Sequence, residues 1–281
     1  MTQIRLGTPG DAARERELWQ LAFGDDGAYV DNFFSSYYRP ETMIVLEEEG
    51  TVQSMTAWFD TRLVLPEGEE LRAAYLYAVA THPQCRGRGL AGQMLAVADQ
   101  FFRSWEIPAV TTVPASPSLH NFFAANGFQE CFTHSQLHAQ PGPAPQGTPP
   151  FSLDRLTPQV YQGLREAILA GTPHIALDQR ALAYQAGACA LTPGGGLYAA
   201  DTGAGAAILC AEGMEDGSLL VKELLGIPEA TAALLPWLPA LLPRWSGIWH
   251  QPGDEVPFGM VKWLTSDPPA VTQAYLGLAF D

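Results

Sequence analysis

The chain has 281 residues with 47% apolar content, enough for two compact domains with ordinary cores. Its 15 basic residues face 30 acidic ones, giving a net charge of −15 with no basic stripe, which excludes a nucleic-acid surface. No apolar run reaches membrane-span length and no charged-then-apolar leader opens the chain, so a cytoplasmic protein without a membrane partner is expected.

In chain order, Ile4-Arg5-Leu6 reads as a short strand. Thr8-Pro9-Gly10-Asp11 starts a helix, with Thr8 as N-cap, Pro9 in the first turn and Asp11 bonding back. Leu18, Trp19, Ala22 and Phe23 form its buried face, and a second helix spans about Ala28 to Tyr38. Met43–Glu48 and Val52–Val64 form a hairpin across Glu49-Gly50. Tyr75 to Ala80 is aromatic and aliphatic with no turn residue before Pro83, the pattern of a buried strand. His82 to Gln93 is a glycine-rich turn. The helix after it runs to about Ser104, with Leu90, Met94, Val97/Ala98 and Phe101 at helical spacing. Ala109–Val113 is a second buried strand. Ser116 or Ser118 then caps a short helix that Asn126-Gly127 ends, and a strand near Gln129–Leu137 follows.

Gln140 to Pro150 is too rich in proline and glycine for sheet or helix and reads as a linker or strap. Beyond it, Leu153 to Pro158 echoes the chain start, leading into an amphipathic helix with Val160, Leu164 and Ile168. A second helix covers about Gln179–Ala188. Strands follow near Leu197–Ala200, Ala206–Ala211 and Leu219–Leu225, then a helix around Glu229–Leu242. The last strands are expected near Ile248, Met260–Leu264 and Tyr275–Phe280. This order repeats the first half, so a duplicated α/β fold on mixed sheets is expected, with units at 1–139 and 151–281 joined by 140–150. The four cysteines lack metal-ligand spacing, so no metal and a reduced state are expected. The acidic clusters Asp25-Asp26, Glu47-Glu48-Glu49 and Glu67/Glu69/Glu70 read as solvated surface or as a rim that attracts a cationic amine.

The turn from His82 to Gln93 carries the most chemistry. A glycine-rich turn that ends a strand and opens a helix leaves backbone N–H groups unpaired, and the helix dipole adds positive charge there. Such a turn holds a phosphate or pyrophosphate, or it is a plain turn without a ligand. A P-loop is excluded, because no lysine stands near it. The dinucleotide fingerprint is set aside because no βαβ unit with a ribose-binding acid follows.

Arg86 through Gly89 to Ala91 reads Arg-x-x-Gly-x-Ala. This resembles the coenzyme A pyrophosphate loop of the GNAT superfamily of N-acetyltransferases. About 30 residues on, the short helix ends in Phe122-Phe123 and then Ala124-Ala125-Asn126-Gly127-Phe128, which looks like the second signature of that superfamily. The two-part layout is similar to the tandem enhanced-intracellular-survival acetyltransferases, without the third, sterol-carrier-like domain that those carry. Pro257-Phe258-Gly259-Met260 and the closing Ala274 to Asp281 also look like this group. At the place in the second half equivalent to the loop stands Gly226-Ile227-Pro228-Glu229. Pro228 removes a donor and Glu229 brings an anion, so the second copy is expected to be degenerate, with one cofactor site in the first.

The resemblance implies an acetyl-CoA-dependent transfer of acetyl to a primary amine of a small molecule or peptide. It implies that Val79, Ala80 and Thr81 bind pantetheine through the backbone. Arg86, Gly87, Arg88, Gly89, Leu90 and Ala91 would hold the pyrophosphate, with Ser116 and Phe123 also at the cofactor. The Val79 amide would be the oxyanion donor. Many members place a tyrosine, the proton donor to the leaving thiolate, where this chain has Phe123. Tyr75, Tyr77 and His120 are substitute candidates. Asp60, His134 and the carboxylate at Asp281 are candidates for a base. The rival reading is an acetyl-CoA-binding or sensing protein with weakened catalysis. Monomer and homodimer are both open.

Overall fold

Thr8 and Asp11 form the expected capping box, with the Thr8 amide donating to Asp11 at 2.8 Å. Arg5, on β1 (Thr2–Leu6), clamps the same carboxylate at 2.7 and 3.0 Å. The helix so started, α1 (Ala12–Phe23), buries Leu18 and Trp19 and ends at Gly24 in the left-handed conformation, φ 78°. Phe23 departs from the expected buried face. It is 48% exposed because the helix stops there, and it stands beside the cavity described below. The computed structural model describes residues 2–138, 145–242 and 244–280. Residues 140–144 of the expected linker, and Asp281, lie outside these.

The first half then follows the expected order. After α2 (Gly27–Ser36), capped by Asp26, come β2 (Met43–Glu48) and β3 (Thr51–Val64) as an antiparallel hairpin. Next are β4 (Glu70–Thr81), α3 (Leu90–Ser104), β5 (Ala109–Thr112), α4 (Pro117–Ala125) and β6 (Gln129–His138). α3 is the crossover that brings β5 parallel to β4, paired from Ala73↔Ala109 to Leu76↔Thr112.

The second half comprises β7 (Asp154–Arg155), α5 (Pro158–Leu169), β8 (His174–Leu177), α6 (Gln179–Ala190), β9 (Gly196–Asp201), β10 (Ala206–Gly213), β11 (Leu219–Gly226), α7 (Pro228–Leu234), α8 (Leu238–Leu241) and β12 (Trp245–Trp263). It departs from expectation in five places. On α5 the buried residues are Tyr161, Arg165 and Leu169, while Val160 is 49% exposed. An ion pair at Arg165, not the aliphatic stripe, sets that face. β8 was not expected and pairs with β3 of the first half. The single helix expected over 229–242 is split by Pro236 and Pro239 into α7, a 3-10 turn and α8. The strands expected near Ile248 and Met260–Leu264 are parts of β12. Tyr275–Phe280 is not a strand but a buried extended segment that touches β8 by one bridge, His174↔Tyr275.

Among the described residues, twelve strands join in one sheet, in the order β1-β2-β3-β4-β5-β12-β11-β10-β9-β7, with β6 on β12 and β8 on β3. β12 is antiparallel to β5 and β6 and parallel to β11, so the late strand of the chain links the two halves. One apolar core lies under α1, α2, α5 and α6 and takes in the segment 274–280. A second lies under α3 and α4, and a third under α7 and α8.

Candidate active site

Beyond Leu76 and Thr112 the parallel strands β4 and β5 are no longer paired, because β5 ends. β4 changes character at the same point. Ala57 faces Tyr77 and Met55 faces Ala80, so Ala78 and Val79 together oppose Thr56 in a β-bulge. Ala78 adopts φ 51°, a left-handed conformation that costs a residue with a Cβ roughly 1–2 kcal/mol. The Thr56 hydroxyl donates to the Tyr77 carbonyl at 3.0 Å and the Ser54 hydroxyl to the Ala80 carbonyl at 2.8 Å. The His82 amide donates to Gln53 at 2.8 Å. Tyr77, Ala80 and His82 therefore face β3, and the alternation of an extended strand directs the amides of Val79 and Thr81 to the edge that β5 has left.

The glycine turn lies directly beyond. A 3-10 turn at Pro83–Cys85 leads to Gly87 and Gly89, at φ 77° and 76°, and then to α3. The first bond of the helix runs from the Gln93 amide to the Gly89 carbonyl at 3.1 Å, so Leu90, Ala91 and Gly92 have no acceptor within the helix. A Cβ on Gly87 or Gly89 would meet no atom within 4 Å, so the turn demands glycine for its backbone conformation and presents an open face. Arg86 is steadied by its Nε donating to the Thr81 carbonyl at 3.2 Å, and Arg88 pairs with Glu48 at 2.9 Å.

A cavity of about 280 Å³ lies against this divergence, lined by Trp19, Asp25, Tyr29, Tyr77, Phe123 and Phe280 among others. Val79, one of the expected backbone contacts, also lines it. The Trp19 indole N–H donates to Asp25 at 2.7 Å. The Tyr77 hydroxyl is bonded to Tyr184 at 2.8 Å and to Tyr29 at 3.3 Å, and Tyr29 reaches the Phe280 carbonyl at 3.3 Å. Burial pushes the Tyr77 phenol well above its ordinary pKa, which keeps it protonated. Phe123 is buried, edge-on to Phe122 and Phe128 at 5.2 and 5.3 Å. Ser116 is the N-cap of α4, but its hydroxyl bonds Ser118 at 2.9 Å rather than a helix amide.

Tyr75 also lines the cavity, whereas His120, Asp60 and His134 sit away from its lining. His120 pairs with Glu130 at 2.7 Å on the outer side of α4. Asp60 is held by Arg72 and Arg62 at 3.0 and 3.1 Å. His134 is buried and stacked on His250, with ring centroids 4.1 Å apart, and packs on Phe258. Burial, reinforced by His250, lowers its pKa to about 4. The folded protein therefore keeps His134 neutral while the unfolded chain takes up a proton below about pH 6.5. Stability is expected to fall as pH drops from 6.5 towards 4, and His134→Leu should reduce that slope, as read from urea midpoints at pH 5 and 7.5.

A larger cavity, about 320 Å³, opens at Thr133, Thr172 and Asp254 on different elements and does not adjoin the divergence. Among the described residues, no group of three or more His, Cys, Asp or Glu is placed to hold a metal, and no helix is long and apolar enough to cross a membrane. The sequence pointed to the turn and to Tyr77, Val79 and Phe123. It did not point to Trp19, Tyr29 and Phe280 as cavity walls, because their meeting depends on how the second half packs. Asp25 was legible only as part of an acidic loop.

Residues 3–125 match the acetyltransferase (GNAT) domain family. Among solved structures, a conserved protein from Enterococcus faecalis V583 is similar at 12% identity and TM-score 0.73, over 94% of this chain and 73% of that one. A GCN5-related N-acetyltransferase from Anabaena variabilis ATCC 29413 is similar at 13% identity and TM-score 0.70, over 94% and 73%. Eis1 from Mycobacterium abscessus is similar at 13% identity and TM-score 0.66, over 94% and 74%. No curated protein matches the chain. At these identities the structural likeness shows fold, and the matched domain contains the turn, the bulged strand and the cavity walls of the first half. Residues 3–125 thus match the acetyltransferase (GNAT) domain family, and the chain as a whole shares the fold of these acetyltransferase structures.

Proposed function

We propose that the protein is an acetyl-CoA-dependent N-acetyltransferase acting directly on a primary amine of a small molecule or peptide. The observation that carries this is the strand divergence, with an open glycine turn at one end and a cavity holding a carboxylate at the other. The fit to coenzyme A rests on chemistry that the chain supplies. Amides of Gly87 to Ala91, at the positive end of α3, suit a pyrophosphate. The free edge of Val79 to Thr81 suits the amide groups of pantetheine. Acetyl-CoA supplies an acetyl thioester.

Within that reading the Val79 amide stabilises negative charge on the carbonyl oxygen. Asp25 draws the amine into the cavity. The ammonium first gives one proton to water; the neutral amine then attacks, the N–C bond forms as the C–S bond breaks, and the nitrogen's second proton passes to water while the thiolate gains one. Phe123 has no proton to give, and Tyr77 is engaged with two other phenols, so water protonates the thiolate. This costs part of the roughly 10²–10⁴-fold that a positioned acid contributes. The same observation is the basis for the rival reading, a binding or sensing protein with little turnover.

The second half we read as a degenerate copy, with units at 1–139 and 151–281 joined by 140–150. It lacks a second anion turn: α7 starts at Pro228 and carries Glu229 in its first turn. Its contribution to the first site is Phe280 in the cavity wall and Tyr184 behind it, bonded to the Tyr77 hydroxyl.

Titration with acetyl-CoA is expected to raise the melting temperature in step with ligand concentration. Gly89→Val, which forces a branched residue into a left-handed position, should weaken that binding by about tenfold or more. Absence of any rise would overturn the reading. A rise without thiol release across a broad amine panel would favour the sensing protein.

A further inference from the structure

The walls of the cavity say what kind of amine fits it. Its volume of about 280 Å³ lies at the low end of ligand sites, so the acceptor has a small body. The rings of Trp19, Phe23, Tyr29, Tyr75 and Phe280 all line it. They are locked by mutual packing: Phe280 lies 5.6 Å from Tyr75, and Trp19 lies 6.2 Å from Phe23. Among the described lining residues Asp25 is the one carboxylate, and the Trp19 indole fixes it at 2.7 Å. The Tyr77 and Tyr29 hydroxyls are engaged elsewhere, Tyr77 with Tyr184 at 2.8 Å and Tyr29 with the Phe280 carbonyl at 3.3 Å. Phe23 and Leu119, both lining the cavity, are 48% and 40% exposed, large apolar groups that an apolar ligand body would cover.

We infer that the acceptor is an arylalkyl monoamine: a flat apolar ring on a short arm, with its single ammonium at Asp25. The inference rests on the acetyltransferase reading and narrows its substrate class. Aromatic faces attract a cation and pack on a flat ring. A sugar would bring hydroxyls to a wall whose Tyr29 and Tyr77 hydroxyls are engaged, and a polyamine would bring a second charge with no second carboxylate among the described lining residues. The overall charge of −15 draws cations in general, so it raises the encounter rate without choosing among amines.

The test uses the full chain with phenethylamine, 2-phenylethanol, spermidine and a lysine-containing peptide. Binding is read by calorimetry in the presence of coenzyme A, and turnover by thiol release from acetyl-CoA. Phenethylamine is expected to bind at least about tenfold more tightly than the neutral alcohol or spermidine, and to give the highest kcat/KM of the three amines. Asp25→Asn keeps an oxygen for the Trp19 indole and so preserves the wall. It should abolish the preference for amine over alcohol while leaving acetyl-CoA binding unchanged. Tighter binding or faster acetylation of spermidine or the peptide would overturn the inference and leave the acetyltransferase reading standing. Unchanged preference in Asp25→Asn would also overturn it. Failure of acetyl-CoA to bind the unmodified chain would sink the broader reading, and this inference with it.

Discussion

Arg165→Met is expected to destabilise the fold by about 3–5 kcal/mol, the range for removing one partner of a buried ion pair. Arg165 is 1% exposed, and its Nε lies 3.1 and 3.2 Å from the two oxygens of fully buried Glu223. Its other nitrogens donate to the carbonyls of Ile175 at 2.8 Å and Leu276 at 3.0 Å. The Tyr161 hydroxyl also donates to Glu223, at 2.8 Å. Removing the guanidinium leaves a carboxylate and two carbonyls buried without it. At about 2–4 °C per kcal/mol for a chain of this size, the melting temperature should fall by roughly 6–20 °C. The double change Arg165→Met/Glu223→Leu should recover at least half of the loss, because no charge is then stranded. Because Leu276 leads to Phe280, the single variant should also raise the KM for amine more than that for acetyl-CoA. Urea unfolding of the three proteins tests the energetics, and a single-variant loss under about 1 kcal/mol would count against the account.

Glu15→Gln is expected to do the reverse, and only on the alkaline side. Glu15 on α1 is fully buried beside the Tyr38 hydroxyl, and burial outweighs that neighbour and raises its pKa to about 7. The unfolded chain releases this proton near the ordinary value of 4.5, whereas the folded chain holds it until about 7. Stability is therefore lost as pH rises from 4.5 through 7, by up to about 3 kcal/mol. Glutamine at this position cannot ionise, so the variant should be more stable by up to about 3 kcal/mol at pH 8, with little difference at pH 4.5. Denaturant midpoints at the two pH values give the answer. Equal effects at both would show that the carboxyl does not titrate as described.

Local chemistry made much of the first half legible. Thr8 and Asp11 fix one helix start, Asn126-Gly127 ends another, and Gly87 and Gly89 mark the turn before α3, all by rules that act within a few residues. The bulge at Ala78 left no mark, because nothing in Tyr75 to Ala80 shows which residue turns left-handed. On α5 the aliphatic spacing of Val160, Leu164 and Ile168 misled, since arginine scores as polar yet Arg165 is fully buried with Tyr161 and Leu169. β8 and the reach of β12 depend on partners far away in sequence, and so does the meeting of the cavity walls Tyr29 and Phe280. Asp25 read equally as solvated charge or as part of an amine-attracting rim, and nothing local showed that the Trp19 indole holds it in the cavity wall.

The place of β12 between β5 and β11 also sets a timetable. A ribosome completes β5 and β6 while roughly 100 residues still separate them from the start of β12. At about 5–20 residues per second, the strand that covers their edge arrives only after some 5–20 s. During that interval the nascent first half carries bare backbone along one border of its sheet, the feature that recruits foreign strands. Chaperone capture of chains stalled between β6 and β12 follows from the strand order alone.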